Sequence, residues 1–87
     1  MSAAEPRQKN WYVYIIMCSD DSLYTGITTD VKRRFTQHKN KTGAKYFYGR
    51  EPVKIVHIEQ GFDRSSASRR EYEIKHYSRD KKIKLFS

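Results

Sequence analysis

Apolar and aromatic positions fall into a few short blocks, and the spacing inside each block names the element it belongs to. Trp11-Tyr12-Val13-Tyr14-Ile15-Ile16-Met17-Cys18 is an unbroken run of β-branched and aromatic residues. It is too short for a helix of ordinary length and too apolar for an edge, so it predicts a central strand. Ser19-Asp20-Asp21-Ser22 supplies turn chemistry and Leu23-Tyr24-Thr25-Gly26-Ile27 returns as a second strand, making an antiparallel hairpin. Gly26, inside that strand, marks a place where something approaches the backbone closely. Thr28-Thr29-Asp30 offers side-chain oxygens ahead of Val31 to Lys39, where Val31 and Phe35 recur at helical spacing, so a capped helix is predicted there. From Asn40 to Pro52 the chain turns to Gly, Lys, Thr and aromatics, the pattern of a mobile loop or short excursion that ends at Pro52.

Val53-Lys54-Ile55-Val56-His57-Ile58-Glu59 alternates loosely and predicts a third strand, closed by Gly61 and Asp63. Ser65 or Ser66 is then expected to cap a helix through Ala67, Arg70, Glu71, Ile74 and Lys75, and Ser78-Arg79-Asp80 to cap a short last helix ending near Leu85. The order is ββαβαα. It implies an α/β (α+β) fold with a small three-stranded mixed sheet flanked by helices. Residues 1–10 hold almost nothing apolar and are expected to form a disordered leader, with 11–87 as the single domain.

Composition narrows the class. Hydrophobic residues make up only 37% of 87 residues, but an aromatic share of 14% separates the chain from disordered sequences. No apolar run approaches the about 20 residues of a membrane helix, and the expectation is a soluble, cytoplasmic protein with no membrane partner, monomeric or weakly dimeric. The lone Cys18 excludes an internal disulfide framework and a cysteine-rich zinc site. Charge says more. Lys and Arg total 18 against 10 Asp and Glu, a formal +8, which favours polyanionic partners. Between Val31 and Arg50 there are seven basic residues, Lys32, Arg33, Arg34, Lys39, Lys41, Lys45 and Arg50, and no acid. A second basic block fills the last third of the chain. Two such blocks suit contact with nucleic-acid phosphates.

Taken singly, the polar and aromatic residues of these elements are unremarkable. Tyr14 and Tyr24 read as strand tyrosines, Arg34 as a surface arginine, His38 as a solvent-facing imidazole one turn beyond Arg34, and Glu71 as an acid paired with Arg70, Lys75 or Arg34. Taken together, Val13-Tyr14, then Tyr24-Thr25-Gly26 ten residues on, then Arg34 and His38, then Glu71 within Ala67-Ser68-Arg69-Arg70-Glu71, resemble the GIY-YIG nuclease superfamily in order and spacing. The resemblance runs from Trp11 to about Tyr77. It is closest to the small stand-alone bacterial members and more distant from resolvase, homing-endonuclease and excision-repair modules. Tyr12-Val13-Tyr14 stands where the family name expects Gly-Ile-Tyr, and Tyr24-Thr25-Gly26 where it expects Tyr-Ile-Gly. Many members carry an asparagine after the glutamate helix, and here none follows Asn40.

The resemblance implies a DNA endonuclease that hydrolyses phosphodiester bonds with one divalent ion, Mg²⁺ or Mn²⁺, held by Glu71. It implies catalytic roles for Tyr14, Tyr24, Arg34, His38 and Glu71, with DNA, branched or structured, as partner and repair or recombination as setting. Lys32, Arg33, Lys39, Lys41, Lys45 and Arg50 would contact the backbone without reading sequence. Tyr46, Phe47 and Tyr48 either stack on unpaired bases or fold back onto the core. Two other readings stay open: a catalytically weak or inactive nucleic-acid-binding module on the same fold, and a basic RNA- or ribosome-associated protein.

Overall fold

The first strand, β1 (Trp11–Cys18), is the middle one of a three-stranded sheet, and both of its faces are covered. Val13 and Ile15 point to one side and pack with Ala67 and Ile74, while Tyr14, Ile16 and Cys18 point to the other and pack with Phe47. A strand buried on both faces needs a continuous apolar run, and that is what this segment has. The structure, a computed structural model, describes residues 9–87, so the leader expected at its start falls almost wholly outside the described residues.

The hairpin partner is β2 (Leu23–Thr28), with Tyr14 opposite Gly26 and Ile16 opposite Tyr24. Its turn is held by Asp20, whose carboxylate accepts from the Ser22 amide at 3.1 Å and hydroxyl at 2.6 Å, and by Asp21 in the left-handed region at φ 65°. Helix α1 (Val31–Lys39) follows, capped by the Asp30 carboxylate on the Arg33 amide, with Val31 and Phe35 turned into the Tyr14 side of the sheet. A 3-10 turn at Lys45–Tyr48 leads to β3 (Pro52–Phe62), which pairs with the free edge of β1.

The sheet order is β2-β1-β3 and both pairings are antiparallel, which corrects the expected mixed sheet. β2 and β3 do run parallel to each other, joined through α1, but β1 lies between them and no parallel pair forms. β3 also extends beyond the predicted 53–59 at both ends. Pro52 opens it opposite Cys18, and Gly61, at φ +91°, sits in an irregular stretch of the ladder instead of ending it.

Helix α2 (Arg64–Lys75) lies on the Val13 face, and the short α3 (Arg79–Ile83) follows it, capped by Ser78. The cap of α2 is Asp63, not a serine: its carboxylate accepts from the Ser66 amide at 2.8 Å while Ser66 Oγ accepts from the Asp63 amide at 3.0 Å. Arg70 then ties α2 to β3 through a two-pronged bond to Glu59, Nε to Oε1 and Nη2 to Oε2, each 2.8 Å, and extends to Glu73 and the Tyr77 hydroxyl. That bond holds the Glu59 carboxyl below its ordinary range, and it fixes the rotation of the helix that carries Glu71.

Candidate active site

Strand alternation puts Tyr14 and Tyr24 on the same face, with ring centroids 6.2 Å apart. The Tyr14 hydroxyl lies over Gly26, where a Cβ would stand 2.5 Å from Oη and 2.6 Å from Cζ, so only glycine leaves room for it. Tyr14 is 1% exposed. Burial pushes its phenol well above the ordinary range; the neighbouring Tyr24 and the charge of Glu71 push the same way, and Arg34 opposes them. Burial likewise raises Tyr24, against the nearby positive charge of Arg34.

Helix α1 contributes Arg34 and His38 from one face. Arg34 is half-buried, its guanidinium beside Tyr14 and steadied by a 2.9 Å bond from Nη1 to Gln37 Oε1. His38 is not the solvent-facing imidazole that its basic helix suggests. It is 0% exposed, with Nε2 2.9 Å from Tyr14 Oη, and the ring packs against Phe47 at 4.4 Å and Tyr24 at 5.3 Å between centroids. Burial, helped by the Arg34 charge, lowers its pKa to about 4 and keeps it neutral.

Glu71 comes from the opposite face of the sheet, on the stripe of α2 that also carries the buried Ala67 and Ile74. Its charge acts on both phenols, so the carboxylate lies within electrostatic reach of Tyr14 and Tyr24. Lys75 is its ion-pair partner at 3.4 Å, while Arg70 belongs to Glu59 and Glu73. Among the described residues no group of three or more His, Cys, Asp and Glu gathers as a metal cage. A single partly exposed carboxylate fits a hard divalent ion that keeps most of its waters, and does not fit a structural zinc.

The aromatic turn folds mostly inward. Phe47 is fully buried against His38 and Tyr24, Tyr46 lies 5.1 Å from Tyr24 beneath the Arg50 guanidinium at 4.2 Å, and Tyr48 alone stays 64% exposed. The predicted basic contacts divide into two groups. Lys41 bonds Glu51 at 3.0 Å and the Arg50 carbonyl at 2.8 Å, and Arg50 bonds Asp20 at 3.1 Å, so these two brace the loop. Lys39 leans toward the Phe35 ring at 6.0 Å. Lys32, Arg33 and Lys45 have no side-chain partner among the described residues.

Sequence reasoning missed a groove of about 310 Å³ between the open end of the hairpin and the start of α1, lined by Trp11, Ile27, Thr28, Asp30, Arg33 and Gln37 with Thr29 and Arg34. Tyr14, Tyr24, His38 and Glu71 do not line it, and Arg34 is where groove and phenols meet. The signal was present, since Trp11 begins β1 and Arg33 lies in the first turn of α1, the two elements that form its walls, but nothing in their spacing shows that a strand end faces a helix start.

A family profile described as the GIY-YIG catalytic domain matches residues 10–84. A UPF0213 protein of Haloquadratum walsbyi is 58% identical over 74 residues, spanning 85% of this chain and 83% of that protein. Another from Staphylococcus saprophyticus is 50% identical over 76 residues, spanning 87% and 93%. Among solved structures, the solution NMR structure of a UPF0213 protein from Bacillus halodurans is similar with a TM-score of 0.54 at 49% identity, covering 86% of this chain and 80% of that one. The solution NMR structure of a protein from E. faecalis is similar with a TM-score of 0.59 at 38% identity, covering 90% of this chain and 83% of that one.

Proposed function

Since the chain belongs to the family of GIY-YIG catalytic domains, we propose that it is a nuclease hydrolysing phosphodiester bonds in DNA, with Tyr14, Tyr24, Arg34, His38 and Glu71 as its working residues. One observation carries the reading: a phenol, a guanidinium and a neutral imidazole meet at Tyr14 Oη, within electrostatic reach of a second phenol and a carboxylate from another helix.

Hydrolysis of a phosphodiester needs a positioned water, countercharge on the non-bridging oxygens and help for the departing 3′ oxygen. Arg34 meets the second need, since a guanidinium held by Gln37 presents its remaining donors in a fixed fork to phosphate. Tyr14 or Tyr24 orients the water and takes its proton. A buried phenol is a poor base by itself, and the positive charge of Arg34 is what works against that burial. Glu71 is the residue that would hold Mg²⁺ or Mn²⁺, which supplies further charge neutralisation when bound. The groove beside Arg34 takes the neighbouring stretch of the strand, with Arg33 and Lys32 free to meet its phosphates.

Supercoiled plasmid incubated with the protein and either ion is expected to give nicked circles, and Glu71→Ala and Arg34→Ala preparations are expected to give none. Equal nicking by the variants would overturn the assignment. Retarded migration of DNA without cleavage under any divalent ion would make the chain a binding module. Faster cutting of branched than of linear duplexes would place it in repair or recombination.

A further inference from the structure

The imidazole at the centre of the site has both ring nitrogens engaged, and the second engagement fixes what the first can be. Ala44 approaches His38 with its backbone amide 3.3 Å from Nδ1. A backbone N–H can only donate, so Nδ1 must present a lone pair. In a neutral ring the proton then sits on Nε2, which faces Tyr14 Oη at 2.9 Å. We propose that Gly43 and Ala44 lock His38 as an Nε2–H donor to Tyr14, so that His38 holds charge on the Tyr14 oxygen and never accepts its proton.

The turn that delivers the amide is built for close approach. A Cβ on Gly43 would overlap Nδ1 of His38 and lie 2.9 Å from Cε1, so a side chain there would push the turn off the ring. Lys41 takes the left-handed conformation at φ 62°, and the Thr42 and Gly43 amides both return to the Gln37 carbonyl at 2.9 and 3.2 Å. The donor is thus anchored to the end of the same helix that carries His38. Phe47 and Tyr24 close the ring in on its flanks.

The proposal rests in part on the nuclease reading, because Tyr14 matters only if it meets the attacking water. When Tyr14 gives up its proton to solvent, the bond from Nε2–H strengthens and stabilises the phenolate while His38 stays neutral. The charged and titratable groups facing this pair are Arg34 from α1, Tyr24 from β2, Glu71 from α2 and, behind Tyr24, Tyr46. None of them offers Nδ1 a competing acceptor.

The test is side-chain ¹⁵N–¹H NMR of the full chain, whose three histidines are assigned with a His38→Gln variant. The expected pattern at neutral pH is a protonated Nε2 and an unprotonated Nδ1 for His38. A protonated Nδ1, in either the other tautomer or the imidazolium, would overturn the proposal whether or not the protein cuts DNA. In the plasmid assay His38→Ala is expected to lose at least about tenfold, and His38→Gln, which keeps a donor, to lose less. Equal losses would also overturn it. If the wild type never nicks, the nuclease reading fails while the NMR pattern still decides the tautomer. Gly43→Ala is expected to disturb that pattern; should this variant not fold, the wild-type spectrum alone settles the matter.

Discussion

Gly26 is the residue on which the site depends most directly, because the Tyr14 hydroxyl occupies the volume that any other side chain would fill. Gly26→Ala puts a methyl 2.5 Å from Oη, and with a fully packed neighbourhood the phenol has to move. Overpacking of this kind costs about 1–3 kcal/mol. The variant is expected to melt earlier and to lose nicking more completely than its stability alone explains, which thermal melts and plasmid assays on one preparation would compare. At this scale much was legible in the chain. Period-two alternation puts Tyr14 and Tyr24 on one face, and a glycine inside a strand signals close approach. His38 was not legible as a buried group, because what encloses it, Gly43 and Phe47, arrives from a loop whose path no periodicity describes.

Between elements, the loop from Asn40 to Pro52 is the part the sequence left open, and its three aromatics divide the labour. Phe47 closes the hollow behind His38 and Tyr24. Phe47→Ala is expected to cost about 3–5 kcal/mol in urea unfolding, whereas the exposed Tyr48→Ala should stay within about 0.5 kcal/mol and show its effect, if stacking on bases is its role, only in DNA affinity. The groove offers a second readout at this scale. Trp11 is the only tryptophan and lines the groove, so intrinsic fluorescence is expected to change when an uncleaved oligonucleotide binds a Glu71→Gln variant. Binding by gel shift with fluorescence unchanged would put the strand elsewhere. Helix α2 shows why boundaries were harder to foresee than elements: its cap is Asp63 because β3 runs on through Gly61 at positive φ, a bend that leaves Asp63 at the helix start instead of in a closing turn.

For the whole molecule the decisive quantity is charge, and it acts on stability as well as on partners. His38 is held neutral with a pKa of about 4, below the about 6.5 of a free imidazole. Above about pH 7.5 neither folded nor unfolded chain binds this proton to any extent and the stability is complete. As the pH falls through that window toward 4, the unfolded chain takes up a proton that the native ring refuses, so stability declines. Between about pH 7.5 and about pH 5 the loss is about 2 kcal/mol. Glu59 and Asp20, whose carboxyls are held low by Arg70 and by Ser22, lose their contributions only below the ordinary carboxylate range, so they fall outside this interval. Urea unfolding at the two pH values, in wild type and in His38→Gln, separates the effect from the remaining histidines, which both proteins share. The variant is expected to be less stable at the higher pH but to lose about 2 kcal/mol less on acidification; parallel losses in the two proteins would mean that the native fold accepts a charged His38 after all.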